Sequence, residues 1–240
     1  MPENISGICI LCFSCGIMEQ METQRFSTKD GRMIVGDYYE GTGKSGVLLL
    51  HMMPADRTSW RTLAGKLQEN KFDVLAIDLR GHGESTDGPN GYRVFSDSEH
   101  QQSLFDLESA IEFLRAKGTE KLHLGGASIG ANLALQYAAQ HPEVGSVMLL
   151  SPGLDYHGIH GDIWIDKLKS TQAVLLAASD NDVYSFTSVK ALYDRSSHLP
   201  KRELKLLTDA GHGTNMFEKY PPFIDEVVEW LKKVDSQLTG

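Results

Sequence analysis

The sequence predicts an α/β fold with a mostly parallel central sheet and helices on both faces. Three observations carry this reading. Short, unbroken apolar runs such as Val47-Leu48-Leu49-Leu50 and Val74-Leu75-Ala76-Ile77 have the pattern of strands covered on both sides. Between them lie stretches with apolar residues at three- and four-residue spacing, the period of a helix with one buried face. The two patterns then alternate along the chain, which calls for parallel strands joined by crossover helices.

The elements follow in order. From Gln24 to Tyr39, two alternating segments flank Asp30-Gly31, a dipeptide suited to a tight turn, and predict an antiparallel entry to the sheet. The run Val47–Leu50 is the first buried strand. Trp60, Leu63, Ala64 and Leu67 mark the helix after it, and Val74–Ile77 the second buried strand, which runs into the glycine-bearing turn Asp78-Leu79-Arg80-Gly81-His82-Gly83. Leu104, Leu107, Ala110, Ile111 and Leu114 share one helical face, and Gly118 closes that helix. A strand over Lys121–Gly125 leads to a helix over Ile129–Gln140, stopped by His141-Pro142 because a residue before proline is disfavoured in helical geometry. Further strands are expected at Val147–Leu150, Val174–Ala177 and Glu203–Leu207, with helices near Phe186–Arg195 and through Ile224, Val227, Val228 and Leu231. The stretch from Pro152 to Thr171 is irregular. At about twenty residues it suffices for a loop or one small helix, not for a lid with its own core.

Composition narrows the function. A chain of 240 residues, 41% of them hydrophobic, is large enough to bury one α/β core, expected over residues 23–240. A formal charge of -9 without a Lys/Arg-rich run argues against a nucleic-acid partner, which needs a basic footprint. No apolar stretch reaches the roughly 18 residues of a membrane span, so no stable membrane insertion is expected. Cys9, Cys12 and Cys15 are the only cysteines; their spacing resembles part of an iron–sulfur run but lacks a fourth thiolate, so the core is expected to use neither disulfide nor cluster. Residues 1–22 read as an extension outside the fold. Ile5–Met18 is apolar like a signal peptide, yet Glu3 stands where a basic residue belongs and no clear cleavage site follows. A cytoplasmic location is therefore expected, with export or anchoring through this segment the alternative.

The chemistry centres on Gly126-Ala127-Ser128-Ile129-Gly130. Chance alone places Gly-x-Ser-x-Gly in roughly one chain of this size in five, so its context matters more than the pattern. A strand enters it and a helix leaves it, the arrangement of a nucleophile elbow, in which the helix amino terminus directs N–H groups at developing negative charge. An N-capping serine at an ordinary turn is the alternative role for Ser128. A serine hydroxyl needs a base, and the base needs an acid to orient it. Of nine histidines, His212 in Ala210-Gly211-His212-Gly213 follows the last strand directly, between glycines that let a loop bring it over the strand ends. His51 and His82 also lie at strand ends but precede Ser128. His100, His141 and His198 read as solvated or capping, His123 as a strand residue, and His157 with His160 as a pair lacking the further ligands a metal requires. For the acid, Ser179-Asp180-Asn181-Asp182 offers two candidates. Asp182 is preferred, because a short turn after the strand points its carboxylate back while Asp180 caps the turn.

With these residues placed, the chain resembles an α/β-hydrolase of the lidless or small-lid serine esterase type, from about Gln24 to Leu231. The resemblance rests on Leu50-His51, the Asp78–Ser85 segment, the elbow, Asp182 and Gly211-His212-Gly213, in the family's order Ser, Asp, His. It implies acyl transfer. His212 would take the Ser128 proton, Asp182 would orient His212, and the backbone N–H groups of Met53 and Ile129 would form the oxyanion hole. No metal or organic cofactor is implied, and the expected partner is a small-molecule ester. The same triad would serve a thioester, amide or peroxide reaction, and a non-catalytic ligand-binding protein on this fold is the rival from another class. The chain departs from the family at Met52, where glycine is usual, and at Ser179, where glycine is common. Met53, Trp60, Trp164 and Met216 are candidates for apolar substrate contacts near the strand ends.

Overall fold

A computed structural model describes residues 21–86 and 91–238; Cys9, Cys12, Cys15 and the expectations attached to residues 1–20 lie outside the described residues. The chain enters through β1 (Met21–Ser27) and β2 (Met33–Tyr39), paired antiparallel about the Asp30-Gly31 turn, where Gly31 adopts φ 86°. The parallel part comprises β3 (Ser45–Leu50), β4 (Asp73–Ile77), β5 (Lys121–Ala127), β6 (Val144–Leu150), β9 (Ala173–Ser179) and β10 (Arg202–Leu207). The eight-stranded order is β1-β2-β4-β3-β5-β6-β9-β10, with β2 antiparallel to β4.

Strand periodicity splits the core in two. Along β3, Leu48 and Leu50 face a layer built with α3 (Leu104–Ala116), α4 (Ile129–Gln140) and α6 (Val183–Arg195). Val47 and Leu49 face the other, built with α1 (Arg61–Glu69) and α8 (Pro222–Ser236). Unbroken apolar runs are thus required because both faces of each parallel strand are covered.

The order also fixes where a site can form. From β3 the chain moves outward to β4 and then returns to β5 on β3's other side, with Leu50 in register with Gly126. The crossovers therefore diverge at the carboxyl ends of β3 and β5 and leave a crevice there, the usual ligand position of an open α/β sheet.

The stretch from Pro152 to Thr171 holds more than one small helix. A hairpin of β7 (Asp155–Tyr156) and β8 (Ile159–His160) precedes α5 (Gly161–Ile165). Two-residue strands show no period in sequence, and this one is held by side chains. Asn132 Nδ2 donates to the Gly153 and Ile159 carbonyls at 3.0 and 2.7 Å, and the Tyr184 hydroxyl bridges the Asp155 N–H and carbonyl, both at 3.0 Å. Two short helices, α2 (Asp97–Gln101) and α7 (Asn215–Lys219), are likewise too short to show a period in sequence.

Candidate active site

Ser128 follows β5 directly and precedes α4, with φ 54° and ψ -121°. A left-handed φ at a non-glycine residue costs on the order of 1–3 kcal/mol and must be held from outside. It is held by its backbone: Ser128 N–H donates to the Leu150 carbonyl at 2.9 Å, and its own carbonyl accepts from Ala131 and Asn132 at 2.9 and 3.2 Å. The flanking glycines are a steric requirement. A Cβ at Gly126 would stand 2.2 Å from the Gly130 carbonyl oxygen, and one at Gly130 2.4 Å from that of Leu50. The helix therefore starts close against β3. Among the described residues the Ile129 N–H at its first position finds no acceptor, as befits a helix terminus.

His212 and Asp182 meet at the ends of β10 and β9. His212 Nδ1 lies 2.6 Å from Asp182 Oδ2, a short charge-assisted contact, while the imidazole stays one-third exposed. Burial pushes the Asp182 carboxyl up, but hydrogen bonds from His212 and then Ser185 outweigh it and hold the group below the usual carboxylate range. Asp182 also caps α6 through the Ser185 N–H. The neighbours of Asp182 hold the His212 loop. Ser179 Oγ accepts from Ala210 N–H at 2.7 Å, Asp180 Oδ1 from Asp209 N–H at 2.8 Å, and Asn181 Oδ1 from Gly211 N–H at 2.9 Å. The serine that departs from the family pattern thus has a structural use, and Asp180 is committed to the loop.

The His212 loop and the Ser128 elbow are then joined. Gly213 N–H donates to Ser151 Oγ at 2.9 Å, Ser151 continues β6 next to Ser128, and a Cβ at Gly213 would stand 3.2 Å from that of Ala127. Among the described residues no hydrogen bond links Ser128 Oγ with His212 Nε2. Unliganded sites commonly close that contact only around a substrate.

After β3 the chain forms a strap, His51 to Asp56. His51 is fully buried; its Nε2 accepts from Leu79 N–H at 3.0 Å, so Nδ1 carries the proton and donates to the Met52 carbonyl at 2.9 Å. Burial pushes the His51 imidazole down to about 4. In a trans peptide the C=O and N–H point opposite ways, so tying the Met52 carbonyl to His51 turns the Met53 N–H away from it. That N–H has no acceptor among the described residues. Beyond the strap, Arg57 is clamped by Asp37 and Asp78, and Asp78 also accepts from Glu84 N–H. The Asp78–Ser85 segment therefore serves to fix the strap.

Other candidates resolve differently. Trp60 and Met216 are fully buried in the layer with α1 and α8, where Trp60 packs against Phe217 with ring centroids 6.0 Å apart. They are core residues, because the helices bearing them turn their apolar faces to the sheet, and this corrects the expectation of substrate contact. Met53 and Trp164 are half-buried against the opposite layer, Trp164 carrying Lys167 Nζ 4.2 Å above its ring. His100 is buried, not solvated, with its ring 4.1 Å from that of His157, which pairs with Asp97 at 2.8 Å. Tyr156 on the β7–β8 hairpin brings its phenol 3.2 Å from Ser185 Oγ, and burial, opposed by hydrogen bonds to Ser185 and Ser128, raises its pKa.

A parallel sheet with this elbow, strap and paired His–Asp at its carboxyl edge defines an α/β-hydrolase fold, and the family model for that fold matches residues 47–176. The chain belongs to this family. Among curated relatives it is 31% identical over 127 residues to monoacylglycerol lipase abhd6-A of Xenopus laevis, covering 49% of this chain and 35% of that one. It is 32% identical over 114 residues to an uncharacterised protein of Mycobacterium tuberculosis, covering 47% of this chain and 30% of that one. The chain thus spans about a third of the length of these relatives. Among solved structures it resembles an esterase of Pyrococcus furiosus, with TM-score 0.76, 20% identity and coverage of 89% and 91%. It also resembles dienelactone hydrolase from Anabaena variabilis, with TM-score 0.71, 21% identity and coverage of 89% and 97%.

Proposed function

We propose that this protein is a serine hydrolase that cleaves small carboxylic esters through an acyl-enzyme. The observation that carries the reading is the 2.6 Å His212–Asp182 pair held beside a serine in left-handed geometry at the crevice edge of the sheet. Ser128 Oγ attacks the ester carbonyl as His212 Nε2 takes its proton, and Asp182 keeps the imidazole in the Nδ1–H tautomer and stabilises its charged form. The carbonyl oxygen becomes an oxyanion between the Met53 and Ile129 N–H groups. His212 then returns the proton to the departing alcohol. Water repeats the sequence in reverse and frees the acid. The relative called a monoacylglycerol lipase and the structural neighbours called esterases are in keeping with ester cleavage.

The test is covalent labelling with a serine-directed fluorophosphonate, run beside hydrolysis of p-nitrophenyl esters of graded chain length. Wild type is expected to label once per chain and to hydrolyse the short esters, while Ser128→Ala does neither. Equal labelling of the two, or no turnover by wild type, would remove the esterase reading.

A further inference from the structure

The methionine that replaces the family's usual glycine fills a specific place. Met52 is 8% exposed, and its side chain leaves the strap toward the His212 loop. Its Sδ accepts a hydrogen bond from Thr214 Oγ1 at 4.0 Å and lies 2.5 Å from where a Gly213 Cβ would stand. Gly213 adopts φ 57°, so it is glycine for two reasons, its backbone and the thioether against it. On the other side, the Met52 carbonyl is fixed by His51 Nδ1 at 2.9 Å. One residue therefore touches both halves of the site. Its main chain sets the peptide bearing the Met53 N–H, and its side chain lies beneath the residue next to His212.

We infer that Met52 is a positioning residue that props the Gly211–Thr214 loop and so sets where the His212 imidazole stands relative to Ser128. This rests on the proposed esterase reading for its kinetic consequence, not for its geometry. Glycine at this position would leave a strap free of the loop. With methionine, strap and loop are packed as one unit, so the base and the oxyanion donors are placed together. Thioether packing suits the role, because an unbranched side chain adapts to an irregular gap between loops.

A double-mutant cycle tests it. Met52→Ala should lower kcat about tenfold with KM within about twofold, since a small misplacement of a reacting group costs rate rather than binding. Gly213→Ala drives a methyl into the thioether and should be slower still. The double variant, with that space opened, should be faster than Gly213→Ala alone, because contacting residues couple. Leu67→Ala, a truncation in the same core layer on α1, serves as a control for general loosening and should lower Tm while leaving kcat within about twofold. Strict additivity in the cycle, or an equal loss of kcat in Leu67→Ala, would overturn the inference. The downfield imidazole proton between His212 Nδ1 and Asp182, read by proton NMR, follows the same geometry without turnover. It should broaden or shift in Met52→Ala and stay put in Leu67→Ala. If wild type hydrolyses nothing, the esterase reading falls and the NMR comparison still decides the role of Met52. An unchanged resonance in Met52→Ala counts against it.

Discussion

At the scale of the residue, the two aspartates after β9 differ by two positions and have opposite assignments. Asp182 faces His212, whereas Asp180 accepts from the Asp209 N–H and faces the loop backbone. Asp182→Asn removes the negative charge that stabilises a charged imidazole and favours the wrong tautomer, and is expected to lower kcat by about 10⁴-fold. Asp180→Asn keeps its accepting Oδ1 and should change kcat less than about threefold. Steady-state kinetics on a short ester, with both variants checked for native unfolding midpoints, separates them; equal losses would reverse the assignment of the acid. Exposure draws a similar distinction elsewhere. His123 Nδ1 lies 2.8 Å from Ser146 Oγ and its Nε2 3.1 Å from Asp235 Oδ1, a second Ser–His–Asp grouping, yet Ser146 is 1% exposed and His123 fully buried. No substrate reaches it.

At the scale of the element, that second grouping fastens α8 to β5 and β6. Asp235 also accepts from Ser45 Oγ at 2.7 Å, and although burial works against it, the bonds from His123 and Ser45 hold its carboxyl down to about 2. A folded pKa below the ordinary value of 3.8 means that the unfolded chain binds more protons between those pH values. Its stabilisation is thus complete above about pH 4 and is lost as pH falls toward 2, and the shift corresponds to about 2 kcal/mol. Asp235→Asn should lower the unfolding free energy by that order at pH 7, with the gap to wild type closing between pH 4 and 2 and turnover of any ester that wild type cleaves unchanged. A gap independent of pH would show that the carboxylate charge is not what fastens the helix. The elements that sequence made legible are those with a period and a stop: α4 runs Ile129–Gln140 as expected, because its apolar face is continuous and Pro142 ends it. The candidate partners of Ser128 are legible for another reason, since Gly211-His212-Gly213 and Asp182 lie in the short turns that follow β10 and β9. Tyr156 was not legible, because its hairpin is set by Asn132 and Tyr184, residues distant in sequence whose reach no local pattern shows. Trp60 misled because a helix near a strand end has one face toward the site and one toward the sheet, and spacing alone does not say which is which.

At the scale of the whole molecule, the buried histidines that shape the site also set its acid tolerance. Burial pushes His51 down to about 4 and, aided by the neighbouring His51, His82 down to about 3; His100 is lowered by burial and by His157. His51 and His82 stay neutral in the fold down to those values but take a proton near pH 6.5 once unfolded, and the shift of His100 acts in the same sense. The unfolded state therefore binds more protons below pH 6.5, and the stability these residues contribute is lost as pH falls from there toward 4 and 3. Asp106 opposes them. Burial raises it to about 6 despite Arg80, so between pH 6 and 4 the folded state binds the extra proton there, and Asp78, raised by burial, acts in the same sense. His51 and His82 against Asp106 leave a net loss between pH 6 and 4 of the order of one group, or about 1.4 kcal/mol per pH unit. Below pH 4 the depressed carboxylates Asp182 and Asp235 continue it in the same direction. Urea unfolding at pH 7, 6, 5 and 4 should therefore show midpoints that fall at each step with an unchanged m-value, beginning before ordinary carboxylates titrate. Midpoints constant from pH 7 to 5 would mean that His51 and His82 are not neutral and buried as a pair, and the strap geometry that depends on a neutral His51 would have to be redrawn.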